Sequence, residues 1–240
     1  NSRDCTVQVG SELIKPSTVA CDLGVHLDAE LNMKRHVATV AASCFYHLRR
    51  IRQIRRRVGT EVTTQLVLAF ITSRLDYCNS VLAGLPQVTL EPLQRVQNAA
   101  VRLILDLNMW DHVTPGLRQL HWLPVRWRIQ YKLCTIMHSV HAGRCPAYMT
   151  DCVRSVADSA SRSGLRSAKS SSYVTPRLRT KFREQAFSFA GPAAWNSLPA
   201  ELRETDDSMI FRNKLKTHFS TELFIILIYQ HLFYSSCVVL

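Results

Sequence analysis

Apolar residues recurring at spacings of three and four constrain this chain more than any other feature. Val37, Val40, Ala41, Cys44, Leu48 and Ile51 mark one stripe. Val62, Leu66, Ala69, Phe70 and Leu75 mark a second, and Leu93, Val96, Ala100, Leu103 and Leu107 a third. That spacing returns side chains to one side of an α-helix, whereas a strand alternates its faces at every residue. Gly59 separates the first two stripes and Leu85-Pro86 the last two. Thr60 and Thr89 stand where helix caps belong, and Glu61 suits a first turn. The spacing predicts a bundle of three amphipathic helices.

The flanks read differently. Cys5–Val9 and Val19–Val25 alternate apolar and polar residues, with Gly10 and Pro16 between them, and predict one β-hairpin ending in Leu23-Gly24-Val25-His26-Leu27-Asp28. Downstream, Thr114-Pro115 offers a cap and a first helical position. After Leu123-Pro124, the residues Val125, Ile129, Leu133, Ile136 and Val140 mark the buried side of a longer helix that Gly143 ends. Residues 155–173 hold eight serines in 19 positions with Gly164 and three basic residues, the composition of an extended loop. A short extended piece, Tyr173–Arg177, then a helix through Ala186–Trp195, then one capped by Ser208 with Phe211, Leu215 and Phe219 inward complete the order. The expected fold class is mainly α: a short N-terminal hairpin, a helical bundle, and a second mostly helical basic unit. The tail, Leu223–Leu240, has 14 apolar residues of 18 but Gln230-His231 at its centre. A spanning helix wants roughly 20 apolar residues. The tail therefore reads as readthrough into unselected sequence or a buried helix, ahead of a membrane anchor.

Charge is segregated. The 240 residues carry 30 Lys+Arg and 18 Asp+Glu, a net +12, and 23 of the basic residues are Arg. Residues 31–60 hold eight Lys/Arg and no acid; residues 154–183 hold eight and one acid, Asp158. These windows sum to +15, so the other 180 residues sum to −3. A basic surface cleared of acids is the footprint of a polyanion binder, and arginine's planar fork suits phosphate. Arg49, Arg52 and Arg56 follow helical spacing on a side away from the apolar stripe, joined by Arg50, Arg55 and Arg57. Arg126, Arg128 and Lys132, then Arg166, Arg177 and Arg179, are the remaining candidate phosphate contacts. Such contacts position a nucleic acid and read no bases.

Other chemistries find little support. The eight glycines are never closer than 14 positions, which excludes GxGxxG and GxxxxGK phosphate cradles. The eight cysteines include no CxxC and read as reduced, mostly buried thiols. His138, His141, Cys145 and Cys152 are four side chains of the zinc-binding kind, but finger and knuckle spacings are absent and Gly143 and Pro146 interrupt them. They read as a helix end with incidental His and Cys, so no metal, cofactor or catalytic residue is expected. The chain opens on Asn1-Ser2-Arg3-Asp4-Cys5 without an apolar run. It is expected to be a piece of a longer protein, nuclear or cytoplasmic rather than secreted.

Five strings carry a resemblance. They are Leu23-Gly24-Val25-His26-Leu27-Asp28; Ser73-Arg74-Leu75-Asp76-Tyr77-Cys78-Asn79; Leu93-Gln94-Arg95-Val96-Gln97-Asn98-Ala99-Ala100; Leu120-His121-Trp122-Leu123-Pro124-Val125; and Gly191-Pro192-Ala193-Ala194-Trp195-Asn196-Ser197-Leu198-Pro199, the last preceded by Leu165-Arg166-Ser167 and Ala186-Phe187-Ser188. In this order they resemble the C-terminal part of non-LTR retrotransposon reverse transcriptases, closest to the Jockey and chicken-repeat LINE group, over about residues 5–222. The resemblance implies that 1–28 end the polymerase palm, 29–107 form the thumb that grips template–primer duplex, and 108–222 form the C-terminal domain. The implied partners are RNA or an RNA–DNA hybrid and the parent's own palm and fingers. The carboxylates that hold two Mg²⁺ in the family's Tyr/Phe-Ala-Asp-Asp hairpin have no counterpart here. The Asp-Asp of this chain is Asp206-Asp207, before a helix start, where capping explains it. Polymerisation and Mg²⁺ would then belong to the full-length parent. A helical protein-interaction module and a genomic relic without function are the rival readings.

Overall fold

The computed structural model describes residues 6–15, 17–157, 171–177 and 184–236, with 223–236 as backbone. Its N-terminal part is two hairpins, not the single one expected. β1 (Val7–Val9) pairs antiparallel with β2 (Glu12–Ile14), and β3 (Val19–Asp22) with β4 (Val25–Asp28). Each closes on its own two-residue turn, so the strands around Val9 and Val19 never need each other. Gly10 has φ 63° in the first turn; Leu23 and Gly24 have φ 45° and 80° in the second. Two successive positive φ values give a turn whose twist matches that of paired strands. Val7 and Val9 stay exposed, while Val25 of β4 is buried in the helical core.

Asp28 joins sheet to helix. Its Oδ1 accepts the amides of Glu30 (3.1 Å) and Asn32 (2.9 Å), and its Oδ2 accepts that of Met33 (3.0 Å). Three amides on one carboxylate hold a turn in which Leu31 and Met33 both have positive φ. α1 (Lys34–Val67) starts there. Val37, Ala41, Cys44, Leu48 and Ile51 are buried along it and Val40 is half-buried, the stripe its spacing predicts.

Beyond Ile51 the structure departs from expectation. α1 breaks at Gly59 (φ 74°, ψ 179°) and resumes at once. Thr60 does not cap the new segment; instead the Thr63 hydroxyl donates to the Gly59 carbonyl (2.5 Å). The helix widens into a π turn, Leu68–Thr72, and ends as α2 (Ser73–Asp76). Its inward residues are Thr63, Val67, Ile71 and Leu75. Val62 and Phe70, expected inside, are 47% and 42% exposed. A stripe at constant spacing of four drifts around an α-helix of 3.6 residues per turn; the wider π turn takes the drift back and keeps all four inward.

α3 (Gln87–Leu105) lies along α1 with Leu93, Val96, Ala100 and Leu103 buried. It begins right after Pro86, so Thr89 falls within its first turn rather than capping it. α4 (Thr114–Gln119) carries Pro115 at its start but no side-chain cap. α5 (Val125–His141) is central: it packs on α3, on the 3₁₀ turn Asn79–Leu82, on α7 (Phe187–Asn196) and on α9 (Ser208–Ser236). α6 (Ala147–Asp151) follows α5, and α8 (Ala200–Arg203) lies between α7 and α9.

Close approach of α5 and α7 requires Gly191, where an added Cβ would lie 2.9 Å from Met137 Sδ. Trp195 of α7 is fully buried, and its Nε1 donates to the Ser171 carbonyl (2.7 Å). α9 is capped by Asp207, not by Ser208: Asp207 Oδ1 accepts the amides of Met209 and Ile210, both at 2.8 Å. Phe211, Leu215 and Phe219 face inward as expected. A continuous cluster of buried side chains runs from Val25 to Phe219. Ser155 and Tyr173 form an antiparallel bridge at the ends of the serine-rich segment, whose residues 158–170 lie outside the described ones. Among the described residues, no helix is long and apolar enough to cross a membrane.

Candidate nucleic-acid interface

The candidate interface is a face of α1. Arg49, Arg52 and Arg56 each follow an inward-turned residue, Leu48, Ile51 or Arg55, and so point about 100° around the axis from the core. All three are exposed, as are Arg50 and Arg57. None of the three is in an ion pair among the described residues. The apolar stripe fixes the rotation of the helix, and the same rotation aims this row at solvent. Unpaired guanidinium groups on a rigid helix can each take a phosphate bidentately without first losing a partner.

Aromatic rings border the row. Tyr46 is 52% exposed, and His47 stacks on Phe70 with centroids 5.2 Å apart. Arg74 brings Nη2 to 3.4 Å from His47 Nε2, extending the positive surface. Beneath it Cys44 is fully buried, and burial pushes its thiol up to about 11 against the pull of Arg74. That thiol stays protonated and inert at neutral pH.

Arg55 belongs to the fold. Its Nε donates to the Leu103 carbonyl (2.5 Å), one Nη to the Ile104 carbonyl (3.2 Å), and the other lies 3.4 Å from Asp106. A cation on the last carbonyls of α3 satisfies acceptors that have no partner inside the helix and complements the helix dipole.

No protein family, curated protein or solved structure matches this chain.

The other expected contacts are dispersed. Arg126 is exposed and lines a cavity of about 450 Å³ with Gln130, Glu184 and Ser197. Arg128 and Lys132 line a different one, of about 520 Å³. Arg128 is not available as expected: its Nε and Nη2 each donate to Asp76, at 2.9 Å, in a bidentate pair. A phosphate would have to displace that carboxylate. Arg177 is exposed beyond the Tyr173 bridge; Arg166 and Arg179 lie outside the described residues. Arg212 and Lys216, not among the expected contacts, join Arg128 and Lys132 at the larger cavity. Their i,i+4 spacing on the helix of Phe211 and Leu215 was the available signal.

His138, His141, Cys145 and Cys152 do not converge. His138 Nε2 donates to the Thr205 carbonyl (2.8 Å), and its ring stacks on Phe211 with centroids 4.1 Å apart. Cys145 Sγ meets Thr150 Oγ1 at 3.4 Å, and Cys152 Sγ donates to the Tyr148 carbonyl at 3.1 Å. Among the described residues, no three metal-capable side chains group together.

Proposed function

We propose that this chain is the thumb and C-terminal part of a non-LTR retrotransposon reverse transcriptase, which holds RNA–DNA template–primer duplex by its phosphates. The observation that carries the reading is the Arg49–Arg52–Arg56 row: exposed, free of ion pairs among the described residues, and aimed by a helix whose other side is buried. The family strings in their family order support it further. In this reading residues 29–107 are the thumb and 108–222 the C-terminal domain. Catalysis is left to the parent's palm in this reading, since the family's catalytic carboxylates have no counterpart in the strings; Asp207 Oδ1 accepts the amides that open α9, the role its position before a helix implies.

Replacing Arg49, Arg52 and Arg56 together by Gln removes three charges and leaves helix propensity nearly unchanged. Each phosphate contact contributes about 0.9 to the salt slope on B-DNA and about 0.7 on single strands. Hybrid-duplex affinity should fall alike for every sequence, and the slope of log K against log salt should flatten by roughly two to three units. An unchanged slope would remove the row from the interface. In primer extension on an RNA template with Mg²⁺, the chain alone should incorporate nothing; template-directed incorporation would place a catalytic centre within it.

A protein-docking reading has one observation of its own. Ile54, Val62 and Phe70 are exposed on or beside the same helix. Binding through them would be nearly insensitive to salt, so the titration that tests the Arg row also separates the readings.

A further inference from the structure

The cavity of about 520 Å³ among α2, α5 and α9 does not belong to the α1 face. Its size is that of a small-molecule site, which typically spans about 300–1,000 Å³. Arg128 and Lys132 enter from α5 and Arg212 and Lys216 from α9, against one carboxylate, Asp76. Four cations less one anion leave the lining at +3. Arg128 neutralises Asp76 with both of its close contacts, so the three remaining cations face the space without an ion-pair partner among the described residues. Like charges gathered from two helices around one hollow repel each other, and an anion bound between them relieves that repulsion.

Asn79 makes a second demand on the same cavity. It lines the wall, is 4% exposed, and its Oδ1 has no hydrogen-bond partner. Its Nδ2 lies 3.5 Å from Asp76 Oδ1, which orients the amide and leaves the oxygen as the free atom. A buried acceptor without a donor is costly, and such groups in folded proteins normally have a partner. A bare anion would answer the cations but not this oxygen. A ligand with phosphate oxygens and a hydroxyl or N–H donor close by answers both.

We propose that this cavity binds the phosphate of a nucleotide, with Lys132, Arg212 and Lys216 on the phosphate oxygens and Asn79 Oδ1 accepting from the sugar or base. A free mononucleotide and the 5′ end of a strand present the same phosphate group. The site is separate from the Arg49–Arg52–Arg56 row and does not rest on it.

Calorimetric titration of the full chain with AMP, inorganic phosphate and adenosine tests the assignment. AMP should bind more tightly than phosphate, and adenosine should not bind measurably. The double variant Arg212→Gln/Lys216→Gln, both exposed positions, should keep its melting temperature and lose roughly tenfold or more in AMP affinity, the effect expected for charge-assisted hydrogen bonds. It should bind hybrid duplex with the wild-type salt slope. Displacement of AMP by a 5′-phosphorylated oligonucleotide, and not by its 5′-hydroxyl twin, identifies the ligand as a strand end. Displacement by neither identifies it as the free nucleotide. Equal affinity for AMP and phosphate, or unchanged AMP affinity in the double variant, would overturn the nucleotide site. Duplex binding lost in parallel with AMP binding would overturn its separateness.

Discussion

Asp76 is pulled in opposite directions. Burial pushes its carboxyl above the usual carboxylate range, while the adjacent Arg128 and then Lys132 draw it down, and burial prevails. The side chain of Arg128 is 16% exposed and that of Asp76 41%, so solvent screens the pair only in part. Because burial already disfavours the charged carboxylate, Asp76→Asn should destabilise the protein by no more than about 1 kcal/mol, well below the ~3–5 kcal/mol of a fully buried pair that loses one partner. Arg128→Met added to Asp76→Asn should recover part of that loss, since no uncompensated cation remains. Urea denaturation of the two single variants and the double gives the coupling directly; strictly additive losses would mean that the pair is not coupled.

Asp76 also shows what the five sequence strings do in the fold. Tyr77, next to it, donates its hydroxyl to the Leu23 carbonyl (2.6 Å), tying the Ser73–Asn79 string to the hairpin string. Gln97 Nε2 donates to the Leu123 carbonyl (2.8 Å), and Gln94 Oε1 accepts the Val125 amide (3.0 Å), tying the third string to the fourth. Asn196 accepts the Tyr173 amide (3.0 Å) and donates to its carbonyl (2.7 Å). The strings were legible as strings. Their work as clasps was not, because each partner lies more than 20 positions away and nothing local names it. The same reason hid the commitment of Arg128, whose partner is 52 positions away.

Among the elements, α1 shows both what periodicity reads and where it stops. From Val37 to Ile51 a single phase holds, and the predicted inward residues are inward. Past Gly59 the predicted Val62, Leu66 and Phe70 fall one residue short of the inward Thr63, Val67 and Ile71, while Leu75 is inward as predicted, because a backbone break and a π turn each reset the rotation. The positive φ of Gly59 paired with ψ near 180° is a conformation that essentially only glycine adopts, costing other residues about 1–3 kcal/mol. An added Cβ there meets no atom within 4 Å, so the penalty is conformational rather than steric. Gly59→Ala should lower stability by that amount, or straighten the helix and rotate Thr63, Val67 and Ile71 out of the core. Thermal melting detects either result; a variant as stable as the parent would show that the break carries no constraint. The caps were misplaced for a plainer reason. Pro86 and Asp207 each start a helix one to three residues before the threonine or serine expected to do so.

At the scale of the whole molecule, two buried histidines set the response to acid. The His26 amide donates to His36 Nδ1 (3.4 Å), and Arg144 Nη2 lies 3.5 Å from His138 Nδ1, so both rings present an unprotonated nitrogen. Burial pushes both below the usual histidine value of about 6.5, helped at His36 by His26 and opposed at His138 by the Thr205 carbonyl. When the folded state lowers the pKa of a base, the unfolded chain binds more protons between the two values. Stability is therefore full above about pH 6.5 and declines as the pH falls below it. The melting temperature should drop between about pH 7.5 and pH 5.5, and His138→Gln should melt lower at the upper pH but show a flatter acid limb. An acid limb as steep as the parent's would assign the dependence to other groups.

The central place of α5 has a consequence for the order of events on the ribosome. Its buried residues are covered partly by α7 and α9, and His138 reaches its acceptor, Thr205, only across 67 positions. Synthesis at about 5–20 residues per second puts roughly 3–13 s between the two. Through much of that interval Ile129, Leu133 and Met137 lack the part of their cover that α7 and α9 supply. A nascent chain in this state offers an apolar helix face to whatever holds unfinished proteins, and is released from it when the last helix arrives.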